Sequence, residues 1–238
     1  MNRSLIWYNL SYYARSLRFI APCLVFVVFH FSIHSQMPIP IWGQYHLGAV
    51  GVFVFSNWIG SSFINSEDRT QQYITMLHVK NETLFHISKI ISILVFMIPF
   101  YMILITYPLA FGFFERSLLF TELLAVAVIH FLFSLMGASV GAFFNADFHN
   151  KKTLIPLQAL VVLVMVVPPD MFLGDNALAR FVAYLLPPLN FFGDRLNTLS
   201  SGVFVMDGNF LLFILRSAGY SLALIAVYIF LIKKRNKH

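Results

Sequence analysis

The feature that most constrains the fold is a series of long apolar runs that carry almost no charge. A helix needs about 20 apolar residues to cross a bilayer. Continuous runs of this length are typical of helices, because a membrane β-barrel alternates apolar and polar positions instead. The sequence therefore predicts an all-α, polytopic membrane protein with six transmembrane helices. The six runs cover residues 19–34, 46–64, 87–111, 123–144, 154–172 and 210–232.

The overall composition supports this class and excludes others. Of the 238 residues, 59% are apolar and only 11% are charged, and the mean hydropathy is +0.77. An average soluble domain carries about 25% charged residues, and one this apolar would expose patches that aggregate. An ordinary soluble domain and a disordered chain are therefore both excluded. The single cysteine, Cys23, leaves no disulfide framework and no cysteine metal site.

The positions of the basic residues predict the orientation in the membrane. Twelve of the 16 lysines and arginines lie in the N-terminus, the second–third loop, the fourth–fifth loop and the C-terminus. Only Arg116, Arg180 and Arg195 lie in the alternate loops, and Arg216 lies inside the last run. Because positive charge stays on the cytoplasmic side, both termini are expected to be cytoplasmic. The basic balance thus reflects topology, and no nucleic-acid partner is expected.

The segments between the runs differ in kind. Residues 1–18 interleave aromatic and basic side chains, which favours an amphipathic helix in the plane of the membrane interface. Residues 65–88 form the longest polar stretch on the predicted inner side. Residues 173–209 form a long outer segment with helix-forming residues at 177–186. We expect one transmembrane domain, residues 1–238, with no appended soluble domain.

Two motifs in the fourth run admit different interpretations. Gly137, Ser139 and Gly141 spell G-x-S-x-G, the pattern of a hydrolase nucleophile elbow, which needs a strained strand-to-helix turn. The same glycines form G-x-x-x-G, which is typical of close helix packing in membranes. We assign Gly137 and Gly141 to helix packing, and an intramembrane hydrolase that uses Ser139 stays an alternative. No P-loop and no H-E-x-x-H motif occurs in the chain, and no metal site is expected.

The second run carries an unusual density of small polar residues. Polar side chains are costly in lipid and normally face protein or a cavity. They form either a packing seam or the lining of a substrate path, and both interpretations stay open. An amphipathic substrate prefers an apolar surface with a few hydrogen-bonding groups. The predicted substrate-path residues are Phe53, Asn57, Gly60 and Ser61.

The polar loop after the second run predicts a short helix with one apolar side. A charged start at Glu67 and Arg69 precedes Tyr73, Ile74 and Leu77, which share a helical face. Such a face is buried against the membrane surface or in the groove of a partner protein. A simple surface loop is the remaining interpretation.

The whole arrangement resembles the permeases of the ABC type 2 exporter family, the second class of ABC exporters. The shared features are an interfacial helix, six spans, a coupling helix between spans two and three, and a long outer segment before span six. The family's coupling region has an acidic residue, a basic residue, an apolar pair and a lysine before span three. The matching residues here are Glu67, Arg69, Ile74, Leu77 and Lys89.

This resemblance implies a permease subunit that is not itself an enzyme. It implies a separate ABC ATPase in two copies, which would bind ATP and Mg²⁺, whereas this chain would hold no cofactor. It also implies a second permease, identical or homologous, in a bacterial plasma membrane. The exported substrate would be amphipathic or hydrophobic, such as a peptide, toxin or drug, and spans one, two and five would line its path. The residues expected to couple to the ATPase are Glu67, Arg69, Tyr73, Ile74 and Leu77.

A second hypothesis is a stand-alone six-span protein, either a secondary carrier or an intramembrane hydrolase. A carrier usually needs ionisable residues at the middle of the membrane to couple ions. The central parts of the six runs contain no Asp, Glu or Lys. This pattern favours an energy source outside the membrane.

Overall fold

The chain folds into an assembly of α-helices. The structure is a computed structural model that describes residues 3–35, 40–114, 116–145, 151–168, 171, 174, 176–189 and 207–236. The helices in this part of the chain confirm the predicted all-α class. They are α1 (Arg3–Arg15), α2 (Ile20–Ile33), α3 (Ile41–Ile64), α4 (Arg69–Val79), α5 (Glu82–Ala110), α6 (Phe120–Phe143), α7 (Lys151–Val166), α8 (Ala177–Leu185) and α9 (Gly208–Asn236).

Each of the six predicted apolar runs corresponds to a helix, but the helices differ in length. Four of them, α3, α5, α6 and α9, are long and apolar enough to cross a membrane. The helices α1 and α2 are bent by 83° and count as a fifth candidate when taken as one broken span. Helix α7 has 16 residues, or about 24 Å, which is shorter than a hydrocarbon core of about 30 Å. The chain is thus a multi-pass membrane protein with four or five candidate spans.

The three helices predicted outside the runs are also present. Helix α1 lies within the predicted N-terminal segment, 1–18, α4 lies within the predicted coupling loop, 65–88, and α8 lies within the predicted outer segment, 173–209. Residues 190–206 of that segment lie outside the described residues.

Local sequence signals set the ends of α4 and α5. The side chain of Asp68 caps α4 by accepting a hydrogen bond from the Gln71 amide at 3.0 Å. Lys80 then ends α4 in a left-handed conformation with φ +54°. Asn81 caps α5 by accepting from the Leu84 amide at 3.1 Å. Short polar side chains at these positions satisfy amides that have no partner within the helix.

The core is built on the pair α3 and α6, which run parallel. Phe53 lies beside Gly137, and Asn57 lies beside Gly141, so residue numbers rise together along the pair. Helix α5 returns antiparallel beside α3, because Tyr45 contacts Ile105 at one end and Glu67 contacts Lys89 at the other. Helix α9 packs on α6 and contacts the start of α5.

This arrangement gives the bundle a basic end and an opposite end. We define the basic end as the one that contains α1, α4, the start of α5, the start of α7 and the end of α9. It carries Arg15, Arg18, Lys80, Lys89 and Lys233. Helices α2, α7 and α9 keep large apolar side chains exposed along their length, as membrane-facing helices do.

Candidate functional site

The small-residue face of α3 packs against the glycines of α6, and we call this contact the seam. A Cβ atom at Gly137 would overlap the Phe53 carbonyl oxygen, and one at Gly141 would overlap the Asn57 carbonyl oxygen. A Cβ at Gly60 would lie 3.4 Å from the Ala138 Cα. Only glycine permits the backbone contacts at Gly137 and Gly141, whereas a Cβ at Gly60 would make an ordinary van der Waals contact. The seam therefore explains Gly137 and Gly141 as packing residues.

Hydroxyl groups complete the seam by bonding to backbone carbonyls across it. The Ser56 hydroxyl donates to the Ser134 carbonyl oxygen at 2.6 Å. The Ser61 hydroxyl donates to the Phe144 carbonyl oxygen at 3.0 Å. These bonds satisfy the hydroxyls internally, so they can be buried in an apolar bundle at low cost.

The predicted substrate-path residues all lie in or beside the seam. Phe53, Asn57, Gly60 and Ser61 are buried, and their contacts with α6 support the packing interpretation. Of the four, Ser61 also lines a cavity, described below. Their role in a substrate path stays a prediction.

Ser139 lies within α6, two residues from each of Gly137 and Gly141. Its hydroxyl donates to the Leu135 carbonyl oxygen of its own helix at 2.6 Å. The helix continues through the motif, so the strained turn of a nucleophile elbow is not formed there.

At the basic end, α1, the α3–α4 connection and α5 meet at a buried ion pair, and we call this contact the junction. Lys89 Nζ lies 2.7 Å from Glu67 Oε2, and their side chains are 3% and 2% exposed. Lys89 Nζ also lies 4.8 Å from the centre of the Phe85 ring. A buried charge is very costly unless it is paired, so each side chain holds the other in place.

Tyr8 joins α1 to this ion pair and to α4. Its hydroxyl donates to Glu67 Oε1 at 2.8 Å and accepts from Gln71 Nε2 at 3.0 Å. The Thr75 hydroxyl lies 3.4 Å from the Tyr8 hydroxyl oxygen. One phenol thus connects three segments of the chain.

The predicted coupling residues divide into a buried and an exposed set. Glu67 belongs to the junction, whereas Arg69 is exposed at the start of α4. Tyr73, Ile74 and Leu77 are exposed together on α4, and Leu77 is 76% exposed. Helix α4 is therefore attached at one side through polar contacts and presents an apolar face on another.

Three cavities lie at the basic end of the described part of the chain, and one of them, of about 510 Å³, is lined by Glu82 of α5 and by Phe230, Lys233 and Lys234 of α9. The other two border α1, α3, α4 or α7. The first of these two is a groove of about 500 Å³ between α1 and α4, and Tyr8, Ile74 and Thr75 contribute to its walls. The second has a volume of about 330 Å³, and we call it the crevice. Its lining comes from α3, from α7 and from Arg18 before α2. The side chains that line the crevice are Arg18, Trp58, Ser61, Ser62, Asn65, Leu154, Ile155 and Gln158.

The amide group of Gln158 connects the crevice to the seam. Gln158 Nε2 donates to Asn57 Oδ1 at 2.6 Å and to the Asn57 carbonyl oxygen at 3.1 Å. The side-chain nitrogen of Asn57 is buried without a hydrogen-bond partner in the described part of the chain. Residues predicted to lie on spans two and five are thereby brought together.

Sequence reasoning identified Glu67 and Lys89 separately but did not predict their pairing. It also missed the roles of Tyr8 and Gln158. One signal was available, since a lysine at the start of a long apolar helix needs a nearby carboxylate. The partner of a phenol 59 positions away could not be read from local sequence. Among the described residues, no three His, Cys, Asp or Glu side chains converge as a metal site.

Comparison with known proteins identifies no relative of this chain. No family model, no curated protein and no solved structure matches the chain.

Proposed function

We propose that this chain is the membrane-spanning permease subunit of an ATP-driven ABC exporter in a bacterial plasma membrane. It moves an amphipathic or hydrophobic substrate, such as a peptide, toxin or drug, out of the cell. The observation that carries this proposal is the way in which α4 is held against the bundle. Its apolar face is exposed, while Glu67, just before its first residue, contacts Lys89 of α5 and Tyr8 of α1.

The exposed face of α4 supports a protein partner on the cytoplasmic side. A short helix with an apolar stripe fits a groove on another protein. In this proposal Tyr73, Ile74 and Leu77 enter such a groove on a separate ABC ATPase, with Arg69 at its rim. The ATPase binds ATP and Mg²⁺, and two copies serve two permease subunits.

The junction supports a route by which motion of the ATPase reaches the membrane. A displacement of α4 pulls on Glu67, which is paired with Lys89 at the start of α5. It also pulls on Tyr8, which lies on the interfacial helix α1. Both helices lead into the bundle, so the cavity between two permeases can change its access as the ATPase opens and closes.

The topology of an exporter of this kind has six spans with both termini in the cytoplasm. The basic end of the bundle is then the cytoplasmic end, because positive charge is retained there. Helix α7 is the fifth span, and its exposed apolar side faces lipid or the second permease.

The placement of charge favours this function over an ion-coupled carrier. Two ion pairs, Glu67–Lys89 and Arg116–Glu122, lie at the two ends of the bundle. The central parts of the apolar runs contain no Asp, Glu or Lys. A hydrolase is disfavoured because Ser139 lies in a continuous helix.

The test is to isolate the chain with its native partner and to perturb the α4 face. The tagged wild-type chain, extracted from native membranes in mild detergent, should retain an ATPase subunit with a Walker A motif in equal amount. The Leu77→Asp variant should insert normally but lose most of the bound ATPase and its substrate-stimulated ATP hydrolysis, because a carboxylate cannot enter an apolar groove.

The matched control is Phe120→Asp, at the opposite end of the bundle. Phe120 is 78% exposed, nearly the same as Leu77, and starts α6, where a helix N-terminus tolerates an acidic residue. This variant should keep the ATPase. Wild-type association in Leu77→Asp, or equal loss in both variants, would contradict the coupling assignment.

A further inference from the structure

The crevice at the basic end combines an apolar wall with a polar wall. Trp58 and Ile155 provide apolar surface, and Trp58 is 39% exposed. Ser62, Asn65 and Gln158 provide hydrogen-bonding groups. A concave site with mostly apolar walls and a few converging polar groups is typical of small-molecule binding.

The charge of the crevice is positive. Arg18 borders it, and within the described part of the chain its guanidinium donates to the Asn65 carbonyl oxygen and contacts no carboxylate. None of the described side chains that line the crevice is acidic. The crevice also lies beside the first turns of α7, where the helix dipole favours negative charge. A guanidinium with donors to spare binds carboxylate or phosphate oxygens well.

The polar and apolar groups of the crevice lie at different levels along the axis of α3. Asn65 ends α3 at the basic end, and Trp58 lies seven residues earlier, or about 10 Å further along the helix. Arg18 lies at the level of Asn65, because the two are hydrogen-bonded. The charged group therefore lies nearer the basic end than the aromatic wall does.

We infer that the crevice binds an anionic amphiphile with a single apolar chain. The acidic group contacts Arg18, and the chain lies along Trp58 and Ile155. The role of the crevice as the entry point of a transported substrate rests on the proposed function. This role restricts the substrate class to acidic amphiphiles. Binding itself does not depend on an ATPase.

Two other occupants fit the crevice less well. A cationic amphipathic peptide meets Arg18 and no lining carboxylate, so its charge is repelled. A bilayer phospholipid brings two chains, whereas about 330 Å³ is near the lower limit for a small-ligand pocket. Both occupants are separated from the proposed one by the experiment.

The experiment uses Trp58 as an internal reporter. The full chain, without any ATPase, is placed in phosphatidylcholine nanodiscs and titrated with doxyl-labelled stearic acid, which quenches nearby tryptophan. Its methyl ester and a quaternary ammonium with the same chain serve as neutral and cationic probes. We expect saturable quenching by the acid that is lost in Trp58→Phe, and at least about tenfold weaker binding of the other two probes.

The variants test the charge directly. Arg18→Gln should weaken binding of the acid about tenfold or more, because a charge-assisted hydrogen bond is lost, while Arg18→Lys should restore part of the affinity. Arg15→Gln is the matched control, since Arg15 is exposed at the end of α1 and does not line the crevice. It should bind as the wild type does.

Several results would overturn the inference. Equal affinity for the three probes, or unchanged affinity in Arg18→Gln, would show that the crevice does not select negative charge. Loss of stearate quenching when phosphatidylglycerol replaces phosphatidylcholine would assign the crevice to a two-chain bilayer lipid. Because the assay contains no ATPase, failure of the proposed exporter function would leave its outcome unchanged, and failure here would leave ATPase association intact.

Discussion

The seam and the junction both bury polar groups, but they do so by different means. In the seam, Ser56 and Ser61 bond to backbone carbonyls of α6, and glycines bring the two backbones into contact. In the junction, long side chains of Tyr8, Glu67 and Lys89 reach across the gaps between segments. One contact depends on backbone shape and the other on side-chain charge.

The difference bears on which part of the molecule can move. Backbones in contact cannot slide without breaking many contacts together, so α3 and α6 are expected to behave as one rigid unit. Polar side chains that meet at a single ion pair and a single phenol can exchange partners when α4 is displaced. In the proposed exporter, a rigid pair of helices beside a side-chain junction would pass movement of the surface helix α4 to the bundle.

A side chain that blocks the backbone contact in the seam should prevent α3 from packing on α6 and should have the largest effect on stability. We expect Gly141→Leu to lose at least about 3 kcal/mol of stability, because the new side chain meets the Asn57 backbone, which cannot move aside. The measurement is the yield of monodisperse protein after detergent extraction. Gly219→Leu, at a glycine with nothing within 4 Å, should yield as much protein as the wild type. A normal yield of the Gly141→Leu variant would show that the backbones of α3 and α6 are further apart than in this structure.

The junction should be destabilised when one partner of its ion pair is removed and the other charge stays buried. Lys89→Met leaves the Glu67 carboxylate buried without a cation, and removing one partner of a buried pair costs about 3–5 kcal/mol. The double variant Glu67→Leu/Lys89→Met should recover most of this loss, because no charge is left buried. Thermal unfolding in detergent compares the three proteins. Equal stability of the single and double variants would mean that the pair does not hold α5 to the α3–α4 connection.

The phenol of Tyr8 should have a smaller and more local effect. Tyr8→Phe removes hydrogen bonds to Glu67 and Gln71 and should cost about 1–2 kcal/mol. Hydrogen exchange should show faster opening of α1 and α4 with little change in α3 and α6. Tyr12→Phe is the control on the same helix, because the Tyr12 hydroxyl makes no hydrogen bond in the described residues. Equal exchange in both variants would remove Tyr8 from the junction.

The smallest effect is expected at the serine of the glycine motif. Ser139→Ala should change stability by less than about 0.5 kcal/mol and leave function intact, because its hydroxyl bonds only within α6. Ser56→Ala, which loses a bond across the seam, should cost about 1 kcal/mol by the same measurement. Loss of function in Ser139→Ala at normal protein levels would revive the hydrolase hypothesis.

Much of the fold could be predicted because apolar runs and caps are local signals. The runs predicted α3, α5, α6 and α9 to within a few residues, except that α3 and α5 begin about five residues earlier than predicted. Those early starts, residues 41–45 and 82–86, mix apolar with polar residues, and hydropathy cannot detect a helix that continues beyond the apolar run. The candidate site was predicted less completely. The residues Glu67, Lys89 and Leu77 were identified, but the buried pairing and the part played by Tyr8 were not.

The sequence by itself determined the membrane class of the protein, the clustering of its basic residues and the presence of a short helix within residues 65–88. Hydropathy and capping by Asp68 depend on near neighbours in the chain, and the basic residues of each loop can be counted without knowledge of any tertiary contact. Only the tertiary structure decided that α3 pairs with α6, that Gln158 reaches Asn57 and that Tyr8 meets Glu67. These contacts join residues from 59 to 101 positions apart, and such partners are selected by shape and burial in the folded bundle.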